Sequence, residues 1–201
     1  MLKWCIIFKR KVGEVMKFRL ATVEDAAEVL KIYKPYVEKT AITFEYEVPT
    51  IEEFAYRIEK TVAAFPYILA IKNDRIIGYA YAGRYRERAA YDWVVELSIY
   101  LDESERHRGT GTVLYKKLLS LLSLLNYQRA YACITSPNPK SIAFHEKCGF
   151  ESIGIFPKSG YKFNQWYGIQ WMDKPLQVDD TVNPIKTIME LPIETINDIL
   201  S

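Results

Sequence analysis

The chain contains few cysteines, and their spacing fits neither of the common cysteine-based structures. Its 201 residues include three, Cys5, Cys133 and Cys148. The number is odd, the spacings are unrelated and no Cys-x-x-Cys pair occurs, so the sequence indicates neither a disulfide framework nor a zinc site. No metal is expected, and a reducing cytoplasm is the simplest setting for such a chain.

An excess of charge of one sign is also missing. Lys and Arg number 27 against 25 Asp and Glu, which gives a formal net charge of +2, and the chain has no basic run or stripe of the kind that indicates nucleic-acid binding. This balance argues against a nucleic-acid partner. No internal repeat or low-complexity segment interrupts the chain. Its 49% of hydrophobic residues suffice for the core of one domain with short extensions.

Long hydrophobic runs are absent as well. The apolar stretch Leu2–Phe8 is short, contains Lys3 and is followed at once by Lys9–Lys11, with no small-residue cleavage site. These features support neither a secretory signal nor a membrane span. We expect no membrane partner. We also expect residues 1–15 to be an N-terminal extension ahead of Met16, with an added strand as the alternative.

What the chain does contain is a regular succession of strand and helix patterns. Capping residues and apolar spacing indicate helices after Thr22 and Thr50, and Pro35 is expected to end or kink the first of them. The expected order is a strand at 17–21, these two helices, strands at 67–72, 76–84 and 94–101, a helix at 112–125, a strand at 129–134, a helix at 141–147, and closing strands at 150–156 and 166–172. This order predicts an α/β fold, built as a mixed α+β sheet with helices on both faces.

The segment Ile99–Thr112 runs from a strand pattern through a glycine loop directly into a helix pattern. A helix N-terminus carries unpaired N–H groups and a partial positive charge, and Gly109 and Gly111 let the backbone approach an anion closely. The spacing is neither that of a P-loop nor that of the dinucleotide fingerprint. It favours a pyrophosphate site, with an ordinary strand-to-helix turn as the alternative. Nearby polar or positive groups come from Arg106, His107 and Arg108.

Three separated motifs resemble one known family. The glycine loop is similar to the acyl-CoA pyrophosphate motif of the GCN5-related N-acetyltransferase (GNAT) superfamily, and the segments 138–141 and 144–150 resemble its later CoA-side helix. The block Tyr81–Tyr100 is similar to the centre of phosphinothricin N-acetyltransferases and their amino-acid N-acetyltransferase relatives. The resemblance extends from about Phe18 to Met172. It implies a catalytic domain at 16–174 and a C-terminal extension at 175–201, which is apolar enough to pack on the domain or on a second subunit.

The resemblance also implies the GNAT fold and its co-substrate. The fold is a mostly antiparallel sheet that splays between strands 4 and 5, with helices on both faces. The co-substrate is acetyl-CoA, whose pantetheine arm would pair with the backbone of Ile99, Tyr100 and Leu101 as an extra strand. The remaining residues expected to bind it are His107, Arg108, Gly109, Thr110, Gly111, Thr112, Asn138 and Ser141, of which Asn138 also suits a helix cap. Relatives of this kind are commonly homodimers, and we expect the same here.

Two residues are candidates for catalysis. Glu96 lies on the strand that leads to the glycine loop, where the family match carries over a catalytic glutamate, and it would take a proton from the attacking amine directly or through water. The alternative is a carboxylate that pairs with a cation at a sheet end. His145 matches the histidine of the phosphinothricin-type branch and would act as an acid or as a base relay. Its alternative is a packing or capping histidine.

The acceptor would be a small amine, with an amino-acid-like molecule favoured. Arg88 and Tyr91 are candidates to bind its carboxylate, and Arg86 and Lys162 to bind a second acidic group, while Phe44 and Trp166 would form apolar walls. For each cation the alternative is a solvated surface charge. Phe163 and Tyr167 depart from the more polar residues of related sequences, which argues against herbicide-like substrates.

The function that these patterns favour is acetyl transfer from acetyl-CoA to the α-amine of an amino-acid-like molecule such as phosphinothricin, methionine sulfone or methionine sulfoximine. The acceptor amine would attack the thioester directly, with no covalent enzyme intermediate. Three alternatives stay open: acetylation of a peptide N-terminus or a polyamine, a non-catalytic CoA-binding regulatory module, and a general nucleotide-phosphate binder.

Overall fold

The computed structural model describes residues 16–105, 108–179 and 181–201. The expected N-terminal extension, Arg106 and His107 lie outside these ranges. Seven strands form one sheet, in the order β1-β2-β3-β4-β5-β7-β6. The strands are β1 (Met16–Leu20), β2 (Tyr67–Lys72), β3 (Arg75–Arg84), β4 (Val94–Leu101), β5 (Arg129–Ser136), β6 (Glu151–Lys162) and β7 (Gln165–Pro175), and the helices are α1 (Ala26–Lys39), α2 (Ile51–Val62), α3 (Thr110–Leu124), α4 (Pro139–Lys147) and α5 (Ile193–Leu200).

The sheet is antiparallel except where β4 meets β5. These two strands pair in parallel at only three positions, Val94, Val95 and Glu96 of β4 with residues 129–131 of β5. Beyond Glu96 the two strands separate, although β4 continues to Leu101 and stays paired with β3 along that length. The mixed sheet and its separation between the fourth and fifth strands confirm the expected fold.

Each face of the sheet is covered by a separate hydrophobic core. Helices α1 and α2 bury Val29, Ile58 and Leu69 on one face, and α3 buries Leu118 and Leu122 on the other. Alternation along each strand supplies apolar side chains to both faces, so the central strands are buried on both sides. The two cores hold the central strands rigidly from both sides, and that is where the site residues of β4 lie.

The helix boundaries follow their capping residues, with one correction. Thr50 caps α2 by accepting a hydrogen bond from the backbone N–H of Glu53 at 3.1 Å. Pro35, expected to end or kink α1, does not end it: the helix continues to Lys39. Proline has no N–H, so Pro35 costs the helix one hydrogen bond and some stability. The burial of Tyr36 and Val37 against the sheet in the next turn outweighs that loss.

The C-terminal segment packs against α3 and the ends of the central strands. Trp93 donates its indole N–H to the carbonyl of Asn183 at 2.8 Å, and Asn126 donates to the carbonyl of Pro184 at 2.7 Å. Further along, Ile196 and Leu200 of α5 are buried in the α3-side core. Residues 181–201 therefore complete that core, beyond the domain boundary expected at 174.

Replacing Ile196 with Ala is expected to lower the free energy of unfolding by about 2 kcal/mol or more, because it removes a buried side chain and leaves a cavity against α3. Chemical denaturation measures this change. Ile193 lies on the same helix but is 60% exposed, so Ile193→Ala is the matched control, with an expected loss below about 0.5 kcal/mol. Equal losses in the two variants would contradict the docking of α5.

Within the described ranges, no helix has both the length and the hydropathy needed to span a bilayer. The described part of the chain also contains no group of three or more His, Cys, Asp or Glu side chains arranged to hold a metal ion.

Candidate active site

Two cavities meet where β4 and β5 separate. The first, which we call the acceptor cavity, has an empty volume of about 830 Å³ and is lined by Glu96, by β5 and by residues 42–44. The second, the cofactor groove, has an empty volume of about 1420 Å³ and runs along the glycine loop and α4. The two share the lining residues Ile42, Ile99, Asn138 and Ser141. The two cavities are therefore adjacent to each other at the gap in the sheet.

Glu96 lies at the point where the two strands part. It is the last residue of β4 that pairs with β5, opposite Tyr131, and it lines the acceptor cavity. Burial raises the pKa of its carboxyl group above the ordinary value for glutamate, because a low-dielectric surrounding disfavours the charged form. A carboxylate in such a position is suited to accept a proton.

His145 is buried on α4 with one ring nitrogen already engaged. Its Nδ1 lies 2.8 Å from the carbonyl oxygen of Ser141. A carbonyl oxygen only accepts hydrogen bonds, so Nδ1 carries the proton and Nε2 is the basic nitrogen. Burial lowers the pKa of His145, and the bond to Ser141 partly offsets that effect. The neutral tautomer with a free Nε2 suits a base or a relay better than an acid.

The glycine loop has the geometry that its sequence predicts. Gly109 precedes α3 with a φ of +89°, in the left-handed region that disfavours other residues. Gly111 follows in the first turn and lines the cofactor groove. A Cβ atom at Gly111 would lie 3.1 Å from a Leu101 side-chain carbon and 3.4 Å from the Phe144 ring. The absence of a side chain at Gly111 thus keeps the groove open at the N-terminus of α3.

The remaining residues expected to bind the cofactor lie in different surroundings. Asn138 caps α4 by accepting from the backbone N–H of Ser141 at 3.2 Å, and both residues line the groove. Thr110 is buried against Glu105, Arg108 is exposed, and His107 lies outside the described residues. The groove is also lined by Ile99, Leu101, Thr112, Lys140 and Lys147, whereas Tyr100 lines the acceptor cavity. An extended groove with a helix N-terminus and two lysines suits a long phosphorylated ligand such as CoA.

Residues 40–46 form one wall of the acceptor cavity, and we call them the acceptor loop. The loop has no helix or strand, so contacts from the sheet hold it in place. Thr135 of β5 donates to the carbonyl of Ala41 at 2.7 Å. The Phe44 ring occupies the space that a Cβ atom of Gly160 would need, at 2.4 Å. Glycine at 160 therefore allows Phe44 to line the cavity.

Lys162 anchors the same loop from the β6–β7 hairpin. Its side chain is buried, and its ammonium donates to the carbonyl of Val37 at 2.8 Å and to that of Thr43 at 2.9 Å. Burial lowers the pKa of Lys162, and the negative charge of Glu45 partly offsets this. Lys162 does not line the acceptor cavity. This arrangement favours a structural role over contact with an acidic substrate group.

Among the other residues expected to bind the acceptor, Phe44 lines the acceptor cavity. Arg86 lies on the loop between β3 and β4, with its guanidinium 5.0 Å from the Tyr85 ring centre and 5.8 Å from that of Tyr91. Arg88 is exposed on this loop. Trp166 is 58% exposed and packs on Tyr161 near the tip of the β6–β7 hairpin. The structure therefore places Arg86, Arg88, Tyr91 and Trp166 outside the cavity lining.

Several lining residues escaped the sequence analysis. Cys133 and Thr135 of β5 line the acceptor cavity, as do their neighbours Ala132 and Ile134, which also belong to the α3-side core. The alternation of two apolar residues with Cys133 and Thr135 along the strand is the sequence signal that would have found the latter pair. Burial, assisted by the charge of Glu96, raises the pKa of Cys133 to about 12. Cys133 is therefore a protonated thiol and a poor nucleophile at neutral pH.

Replacing Lys162 with Met is expected to raise the acceptor KM and to leave the affinity for CoA unchanged, because it removes the donor that holds the acceptor loop. Two buried carbonyls lose their partner, so the free energy of unfolding should also fall by about 1–3 kcal/mol. Steady-state kinetics and calorimetry measure these effects. Lys158→Met, at an exposed position of the same hairpin, is the control. An unchanged acceptor KM would contradict the anchoring role.

Comparison with known proteins identifies the class. Residues 18–171 match the acetyltransferase (GNAT) domain. The chain is 33% identical to a phosphinothricin N-acetyltransferase of Streptomyces coelicolor, over 80% of this chain and 96% of that one. It is 28% identical to an L-methionine sulfoximine/L-methionine sulfone acetyltransferase of Salmonella typhimurium, over 84% of this chain and 98% of the other.

A solved structure agrees with the sequence relatives. The phosphinothricin acetyltransferase of Sinorhizobium meliloti, crystallised with acetyl-CoA, superposes with a TM-score of 0.81 at 31% identity, over 87% of this chain and 96% of that one. A sheet that opens between its fourth and fifth strands beside a glycine loop is thus an acetyltransferase fold. The chain belongs to the GNAT acetyltransferase family and is an N-acetyltransferase, as its motifs indicated.

Proposed function

We propose that this chain transfers the acetyl group of acetyl-CoA to the α-amine of a small amino-acid-like molecule. The observation that carries the proposal is the partly buried carboxyl group of Glu96, which lines the acceptor cavity three residues before Ile99, where the acceptor cavity and the cofactor groove share a wall. The phosphinothricin and methionine sulfone relatives support the acceptor class.

Bound acetyl-CoA supplies a thioester carbonyl as the electrophile. Glu96 takes a proton from the acceptor ammonium, directly or through a water molecule, so that the nitrogen lone pair becomes available. The Nε2 atom of His145 serves as a second basic site for relaying that proton. Among the backbone N–H groups of residues 97–99, those that point to the open side of β4 would stabilise the negative charge that develops on the carbonyl oxygen. The amine attacks the thioester directly, so no side chain need form a covalent intermediate.

Arg88 and Tyr91 remain our candidates for the acceptor carboxylate. Their loop is held over the Glu96 side of the sheet by Tyr85, whose ring centre lies 4.7 Å from that of Tyr131. Tyr131 is the β5 partner of Glu96. This contact supports our proposal that the loop borders the acceptor cavity when the acceptor is bound. We leave Lys162 out of the proposed substrate site because backbone carbonyls already engage its ammonium.

We further propose that the protein works as a cytoplasmic homodimer. The odd cysteine count supports the compartment. The outer strand β6 supports the assembly, because Ile153, Ile155 and Phe156 are each more than half exposed at the end of the sheet. Exposed apolar edge strands are typical of association surfaces. A sedimentation experiment that finds single chains at micromolar concentration would reject the dimer.

A thiol-release assay tests the proposed activity across a panel of amines. The panel contains phosphinothricin, methionine sulfone, methionine sulfoximine, the ordinary amino acids, polyamines and a short peptide. Release with one or more of the small amino-acid-like acceptors is the expected result. Thiol release with only the peptide or the polyamines would show that these are the acceptors instead. Absence of release with any amine, despite measurable CoA binding, would favour a non-catalytic module.

A further inference from the structure

A tyrosine from α1 occupies part of the open edge of β4. The hydroxyl of Tyr36 donates to the carbonyl of Leu101 at 2.7 Å and accepts from the N–H of the same residue at 3.1 Å. The next residue, Asp102, donates its N–H to Ile77 on the β3 side. Because backbone groups alternate sides along a strand, those of Leu101 point to the side where β5 has separated. The hydroxyl thus takes the place of a neighbouring strand at Leu101.

The same alternation determines which backbone groups stay available to a ligand. Those of Tyr100 point toward β3, where it pairs with Tyr79. Those of Ile99 point to the open side, and Ile99 lines both cavities. Backbone pairing by the pantetheine arm, which we expected at Ile99, Tyr100 and Leu101, therefore has Ile99 as its accessible position. Tyr36 itself lines the cofactor groove.

We propose that Tyr36 is a cofactor-positioning residue that terminates the open edge of β4 at Leu101 and thereby sets the register in which the pantetheine arm pairs with Ile99. The inference rests on the proposed use of acetyl-CoA. Its basis is a rigid placement: Tyr36 is 7% exposed, and its ring meets that of Tyr100 edge-on at 5.0 Å. Because the hydroxyl is fixed, the pantetheine arm can pair with the edge of β4 in one register only. Binding then costs less conformational entropy.

Tyr33, on the same helix, provides a matched contrast. Its ring also meets that of Tyr100 edge-on at 5.0 Å, and it is 6% exposed. Its hydroxyl, however, lies 2.8 Å from the Oγ1 atom of Thr43 in the acceptor loop. The two tyrosines share a helix, a degree of burial and an aromatic partner, but Tyr36 lines the cofactor groove whereas the hydroxyl of Tyr33 contacts the acceptor loop. Removing each hydroxyl should therefore affect different ligands.

The test compares Tyr36→Phe and Tyr33→Phe by calorimetric titration with CoA and with 3′-phospho-ADP, the nucleotide half of CoA that lacks the pantetheine arm. For Tyr36→Phe we expect the Kd of CoA to rise about 5- to 30-fold, because the freed backbone groups of Leu101 let the pantetheine arm pair with β4 in more than one register. The Kd of 3′-phospho-ADP should change less than about twofold. Tyr33→Phe should leave both values unchanged and raise the acceptor KM instead.

Two results would overturn the proposal: an unchanged or lower Kd of CoA for Tyr36→Phe, or an equal weakening of both ligands, which would assign Tyr36 to general folding. Thermal unfolding of both variants shows whether each retains its fold. The outcome is separable from that of the proposed function. The expected shift in CoA affinity without acetylation of any amine would reject the proposed function alone.

Discussion

Replacing Glu96 with Gln is expected to lower turnover by roughly 10²–10⁴-fold, the usual contribution of a general base, and to leave the affinity for CoA unchanged. Glutamine keeps the size of the side chain and removes its ability to accept a proton from the amine. Glu96 lines the acceptor cavity and is absent from the lining of the cofactor groove, so CoA binding should not depend on its charge. Initial rates and calorimetry separate the two effects.

The pH profile makes this prediction sharper. The base must be ionised to act, and burial raises the pKa of Glu96 above its ordinary value. Activity should therefore rise with pH through that raised pKa and fall as Glu96 becomes protonated below it. Burial lowers the pKa of His145, so the histidine is already neutral above its own lowered value. The acid limb that belongs to Glu96 should be missing from the residual activity of Glu96→Gln.

The control is Glu59→Gln, which removes a carboxylate from an exposed position on α2 and should change neither rate nor profile. Equal rates for the wild type and Glu96→Gln across the pH range would refute the assignment of the base. A large loss of CoA affinity in Glu96→Gln would place the carboxylate in the cofactor site instead. A partial loss of turnover in His145→Ala, with the fall in rate at low pH still present, would support a relay role for His145.

Replacing Gly111 with Trp is expected to weaken CoA binding by roughly 5- to 150-fold, which corresponds to an overpacked contact of about 1–3 kcal/mol. The first side-chain carbon would already lie 3.1 Å from Leu101 and 3.4 Å from Phe144, so an indole would have to extend into the groove. It would occupy the space in front of the N-terminal amides of α3, where the pyrophosphate is expected to bind.

The matched control is Val113→Trp on the same helix. The Val113 side chain is 43% exposed and does not line the cofactor groove. Calorimetry with CoA measures both variants, and thermal unfolding shows that both are folded. A CoA affinity that does not change in Gly111→Trp would contradict the assignment of the glycine loop. Equal weakening in the two variants would point to disturbance of α3 as a whole.

Local patterns predicted most of the secondary structure. The cap at Thr50 and the positive φ at Gly109 arise within a few residues of the motif that signals them, so they are readable without the fold. Pro35 was the exception, since its effect on α1 is outweighed by burial of the following turn against the sheet. The closing strands were predicted too short because the long β6–β7 hairpin carries little alternation.

The candidate site shows the same difference between residues recognised from the sequence and roles that depend on the fold. Glu96 and the glycine loop are close in sequence and were recognised together, and the structure places Glu96 in the acceptor cavity and the loop in the adjacent cofactor groove. The role suggested by the structure for Lys162 differs from the one its sequence motif suggested. Its acceptors, the carbonyls of Val37 and Thr43, lie 125 and 119 residues away. A lysine beside an aromatic motif gives no sign of such partners.

The sequence by itself therefore indicated the order of strands and helices as far as β7, the glycine loop and the family, because each depends on residue types at short, regular spacing; the family resemblance also implied the separation of β4 from β5. Only the tertiary structure decided how the C-terminal segment packs, what holds the acceptor loop and which backbone groups of β4 stay available. The contact between Tyr36 and Leu101 spans 65 residues. Contacts over such distances depend on how helices and strands pack, and they leave no periodic signal along the chain.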